Sequence, residues 1–238
     1  MSTFLLVHGA FRGGWAWSRV RPILLAAGHD VHAPSLAGAG ERSAYAVDAL
    51  DTWVDELVDL LSFEDLVDVV LVGHSQGGVV VREIATRVPQ RLSRLVYLDA
   101  AVPDPGERAV DLGPAPPDLP PRDTLVPARE LQAAGDLDAA TAAWMNARLT
   151  PTPFAPSLDP VSDDLPGVPA TYAFCTGTPD TYPSATTRRR LDERGTDYVL
   201  IEAGHDAPLT RPHAVAELLL GATIAPTPTF GTAEETPA

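Results

Sequence analysis

The sequence predicts a single α/β domain, a mostly parallel central sheet with helices on both faces and a cap insertion. Three observations carry that reading. Short apolar runs alternate with helical segments at both ends of the chain. The run at 67–72 (VDVVLV) is β-branched and nearly continuous, as expected of a strand covered on both faces. A proline-rich stretch at about 102–169 interrupts the alternation, which then resumes.

Residues 3–7 (TFLLV) read as the first strand, ending at His8 and Gly9. A helix is expected over about 16–27, with Gly28 placed to stop it, and a short strand near 30–33. In the next helix Leu50, Trp53, Val54, Leu57, Leu60 and Leu61 share one face, and acidic residues cover the other. A helix over about 76–88 follows the 67–72 strand, then a strand at 94–99. Inside the insertion one helix is expected near 128–148. Beyond it come a strand at 170–174, a helix around 184–194, a strand at 197–201 and a last helix at 212–220. The domain is thus expected to span 1–221, with a disordered tail over 222–238, where periodicity ends.

Composition excludes several function classes. The chain carries 17 basic against 32 acidic residues, a net charge of −15, the wrong sign for gripping nucleic acid or an anionic membrane. The one basic cluster, Arg188–Arg190 with Arg194, reads as a solvated helix face answered by Asp192 and Glu193. No run approaches the ~20 apolar residues of a membrane helix. The first residues lack a basic region and a signal-length apolar stretch, and the single cysteine suits a reducing compartment; the expected location is cytoplasmic. Oligomeric state leaves no signal in the sequence.

The chemistry concentrates at Gly73-His74-Ser75-Gln76-Gly77-Gly78, where a strand enters and a helix leaves. Such a bend forces its central residue into a strained conformation, so its flanks must be small. Ser75 then projects from the strand end at a helix N-terminus, which favours developing negative charge. A serine hydroxyl needs a base, and His205 is placed to be one, on the loop after the last strand at the same sheet edge. His74 is expected to point away from Ser75, and His213 starts a helix; His29 and His32 lack cysteine or carboxylate partners at metal-ligand spacing, so no metal is expected. The turn after the first strand offers the amide of Ala10, which with that of Gln76 makes a candidate oxyanion hole. The catalytic acid is open. Asp206 is too close to His205 in sequence to orient its ring readily.

At HGAFRGGWAW, GHSQGG, LVYLDAAVPDPG, ARLTPTPF and AGHDAPLTRPHAVAELL the sequence resembles the α/β-hydrolase superfamily, in the branch of plant-type methylesterases, hydroxynitrile lyases and their bacterial relatives. The resemblance covers roughly residues 3–220. It implies a Ser–His–Asp hydrolase without a cofactor, acting on a small-molecule ester, with Ser75, His205, Ala10 and Gln76 in matching positions. The family's acid usually follows the strand at 170–174, where Asp180 is the nearest carboxylate but sits slightly late; the resemblance thus makes Asp180 the expected acid, with Asp99, at the end of the preceding sheet strand, as the competitor. The resembling lyases carry a threonine in the first oxyanion turn and a lysine after the histidine. This chain has Gly9-Ala10 and Asp206, and a negative charge at 206 is expected to oppose cyanide. Acyl transfer, lactone opening or cyclisation by the same residues, and a non-catalytic receptor, remain as alternatives.

Overall fold

A computed structural model describes residues 1–113 and 118–223. The expected tail lies almost wholly outside the described residues. Strands β1 (Thr3–Val7), β2 (Asp30–His32), β3 (Val69–His74), β4 (Leu92–Leu98), β7 (Ala170–Cys175) and β8 (Val199–Ile201) form one sheet in the order β2-β1-β3-β4-β7-β8. Every pairing in it is parallel. Strands β5 (Leu125–Val126) and β6 (Thr152–Pro153) make a separate antiparallel ribbon within the segment that joins β4 to β7.

Residue alternation splits the core in two. Leu5, Val7, Leu71, Leu95 and Tyr97 face α2 (Leu50–Phe63) and α3 (Gly77–Arg87). Phe4, Leu6, Val70, Val72 and Leu98 face the other way, onto Trp17, Leu24 of α1 (Arg21–Ala26) and Val215 and Leu219 of α7 (Pro212–Ala222). All six residues of β3 are buried, as its unbroken apolar run requires. On α2 the buried residues are Leu50, Trp53, Val54, Leu57 and Leu61, the stripe that its helical period dictates. After β1 the chain winds to one edge of the sheet; from β3 onward it winds to the other. The crevice at the carboxyl ends of β1 and β3 is therefore a topological switch point, the place where open α/β sheets bind ligands.

Two expected helices are shorter than periodicity suggested. The segment at 16–27 divides into a 3₁₀ turn over Gly14–Trp17 and α1, because Pro22 has no N–H and suits only the first turn of a new helix. Near 128–148 only α4 (Ala139–Asn146) is helical. Gly135, at φ +58°, turns the chain away from a helical path, and the Asp138 side chain accepts the Thr141 N–H to start the helix late. α5 (Pro183–Arg194) begins with a proline and ends at Gly195, whose φ of +61° suits a left-handed cap. A four-residue helix, α6 (Ala207–Thr210), precedes α7.

Candidate active site

Between β3 and α3, Ser75 adopts φ +55°, a conformation that costs a non-glycine residue about 1–3 kcal/mol. The surroundings impose it. The Ser75 N–H donates to the Leu98 carbonyl, and the Ser75 carbonyl accepts from Gly78 and Ala101. The tight bend also needs glycine at its flanks: a Cβ on Gly73 would stand 2.7 Å from the Gly77 carbonyl oxygen, and one on Gly77 would stand 2.6 Å from that of Val7.

His205 follows β8, and its Nδ1 lies 2.6 Å from Asp99 Oδ2. A carboxylate oxygen accepts, so Nδ1 carries the proton and Nε2 is left as the basic nitrogen. The acid that contacts this ring is therefore Asp99, not the expected Asp180. Asp180 sits in the turn before α5, with its side chain 87% exposed and paired with Arg188. Asp99, at the end of β4 with φ +45°, turns its carboxylate inward, where it also accepts from the Thr178 hydroxyl and the Cys175 N–H. Burial opposes its charge, but the hydrogen bonds and charge of His205 and the bond from Thr178 outweigh that, holding the carboxyl below its ordinary range.

Three further contacts fix the His205 loop. The His74 Nε2–H donates to the His205 carbonyl at 2.8 Å, and the two rings lie 4.7 Å apart. Burial, then the neighbouring His205, push the His74 pKa down to about 3, which keeps that ring neutral. Asp136, from the segment between β4 and β7, accepts the Gly204 N–H. Asp206 pairs with Arg12 through two hydrogen bonds of 2.7 and 2.8 Å, with both side chains almost buried. Here burial would raise the Asp206 pKa, yet the Arg12 guanidinium holds it below the usual carboxylate range.

Arg12 also donates to the Ala10 carbonyl and so ties the turn after β1 to the histidine loop. The turn is locked from its other side by His8, whose Nδ1–H donates to Gly9 and whose Nε2 accepts from Leu36. Burial lowers the His8 pKa to about 4. Phe11 takes φ +67° and gives its N–H to the Thr152 hydroxyl. Among the described residues the amides of Ala10 and Gln76 have no protein acceptor, and both residues line the cavity that contains Ser75 and His205.

That cavity has two lobes. The first, of about 350 Å³, is bounded by apolar residues such as Ala101, Val110 and Phe154. The second, of about 400 Å³, is bounded by Arg12, Val126, Arg129, Leu131 and Leu149. Ala10, Phe11, Ser75, Tyr182, Pro183 and His205 line both, so the two lobes meet at the serine and histidine. Among the described residues no hydrogen bond yet joins the Ser75 hydroxyl to the His205 ring; in unliganded sites such bonds are often long and tighten on binding.

The model of the alpha/beta hydrolase family matches residues 4–218. The chain belongs to that family. The chain is 40% identical, over 123 residues, to the carbendazim hydrolyzing esterase of Nocardioides sp. (strain SG-4G), a match that covers 50% of the chain and 51% of that protein. It is 38% identical over 104 residues to the alpha-hydroxynitrile lyase of Arabidopsis thaliana, covering 42% of the chain and 40% of the lyase. The chain thus matches about half the length of these curated relatives, or less. A solved extracellular alpha/beta-hydrolase from a Paenibacillus species, described as sharing structural and functional homology with tobacco salicylic acid binding protein 2, superposes with a TM-score of 0.76. It covers 93% of this chain and 99% of that one at 25% identity. A plant hydroxynitrile lyase and plant methylesterases are thus among the proteins to which part of the chain is similar.

The charge of Asp206, expected to oppose cyanide, is neutralised by Arg12 and does not line the cavity, so it gives no ground for distinguishing an esterase from a lyase. The signal for Asp99 was its place at a strand end on the edge that bears Ser75 and His205. Neither Thr178 nor Arg12 had a sequence signal of its own, since each acts through a partner distant in the chain.

Proposed function

We propose that the chain is a serine esterase that cleaves small-molecule carboxylic esters through an acyl-enzyme, with Ser75 as nucleophile, His205 as base and Asp99 as acid. The observation that supports it best is the Asp99–His205 bond at the rim of a cavity also lined by Ser75 and the two unpaired amides. Ser75 Oγ attacks the ester carbonyl carbon while its proton passes to His205 Nε2. The carbonyl oxygen takes up the negative charge against the amides of Ala10 and Gln76. The intermediate collapses, and the leaving alcohol receives the proton from His205. Water then repeats the sequence on the acyl-serine, releasing the acid and restoring the hydroxyl.

Asp99 keeps the His205 proton on Nδ1 and stabilises the imidazolium that forms during each transfer. The segment 102–169 serves as the cap, since Val110, Arg129 and Phe154 supply cavity walls from it. Fluorophosphonate labelling with peptide mapping tests this function. Ser75 is expected to be the labelled residue, and Ser75→Ala is expected to lose both the label and ester turnover while keeping its fold. An unlabelled Ser75 in the folded wild-type chain contradicts the reading. Cleavage of mandelonitrile without turnover of 4-nitrophenyl esters would assign the pair to lyase chemistry instead.

A further inference from the structure

The lobes of the cavity differ in charge. Among the described residues, Asp99 is the only carboxylate lining the first, and it is engaged with His205. No carboxylate of the described residues lines the second, which holds two arginines although the chain carries a net charge of −15. Of the two, Arg12 is spent on Asp206. Arg129 has no carboxylate within ion-pair distance among the described residues, and the neighbouring Glu130 does not line the cavity. Val126, Leu131 and Leu149 line the same lobe as Arg129, so the wall beside its charge is largely apolar.

Building on the esterase reading, we propose that this enzyme selects esters bearing a carboxylate on the limb that enters the second lobe, and that Arg129 is the residue that recognises it. A lobe of about 400 Å³ has room for a limb far larger than a methyl group, and its one unpaired cation is matched by an anionic end. Arg129 is exposed at the cavity mouth, so its effect is moderate, about five- to tenfold in kcat/KM and carried mostly by KM.

Two ester pairs test the assignment on either side of the scissile bond. Mono-4-nitrophenyl adipate is compared with 4-nitrophenyl hexanoate, and 3-carboxyphenyl hexanoate with its neutral carboxamide. In at least one pair the wild-type enzyme is expected to favour the charged ester, and the pair that shows it identifies the limb. Arg129→Gln should bring that ratio close to one and Arg129→Glu should reverse it. Arg189→Gln, on the exposed face of α5, removes the same charge elsewhere and should leave the ratio as it was. A wild-type ratio at or below one in both pairs overturns the proposal, as does a preference that survives Arg129→Gln. Failure of all four esters to turn over, with Ser75 unlabelled, removes the esterase reading and this inference with it.

Discussion

At Gly9 a Cβ would stand 2.6 Å from the Cβ of Ser75 and 3.1 Å from its hydroxyl oxygen. Alanine there must displace either the nucleophile or the oxyanion turn. Misplacement of reacting groups by about 1 Å costs about 100-fold, so Gly9→Ala should lower kcat by about two orders of magnitude while the circular dichroism spectrum stays native. An unchanged kcat would show that the turn and Ser75 are not in the close contact described. Ser75 and His205 were legible as candidates because a strained bend needs glycines around it and because the loop after the last strand has one histidine. The acid was less so. A carboxylate can reach an imidazole from the end of either neighbouring strand, and spacing along the chain does not say which; the inward turn at Asp99 and the hydroxyl of Thr178 decide it here.

Among the elements, the parallel strands and their flanking helices followed from periodicity, since burial on both sides leaves long apolar runs. The breaks did not. Pro22 and Gly135 each divide a segment that looked helical, and a ribbon of two residues per strand is too short for any period to register. The loops at the carboxyl ends of the strands are held by contacts of very long sequence separation, among them the nearly buried Arg12–Asp206 ion pair. Removing one member of such a pair leaves the other buried and uncompensated, at a cost of about 3–5 kcal/mol. Arg12→Leu and Asp206→Leu should therefore each destabilise the fold strongly in urea titrations. The double variant should recover much of that loss yet stay slow, because the Ala10 carbonyl has lost its donor. Strictly additive losses in the double variant would deny the coupling.

For the molecule as a whole, the buried neutral imidazoles of His8 and His74 set its response to acid. Their pKa values fall from the ordinary 6.5 to about 4 and about 3 on folding. The stability they contribute is fully present above pH 6.5 and is lost as pH falls from there towards their folded values, because only the unfolded chain takes up the protons. Each contributes about 1.4 kcal/mol per pH unit within that window. Urea midpoints should therefore drop between pH 6.5 and pH 5 in roughly 0.5 M salt, which screens repulsion within a chain of net charge −15. A flat profile would mean that both rings are protonated in the fold. The same network connects the molecule's stability to its chemistry, since His8 braces the oxyanion turn and His74 the histidine loop.

Steady-state comparison of Asp99→Asn with Asp180→Asn on one 4-nitrophenyl ester tests the catalytic assignment most directly. Asp99→Asn should lower kcat/KM by about a thousandfold or more, because the amide favours the wrong tautomer of His205, and Asp180→Asn should stay within about twofold of wild type. A folded Asp99→Asn enzyme of near wild-type activity, beside a crippled Asp180→Asn, would contradict the account.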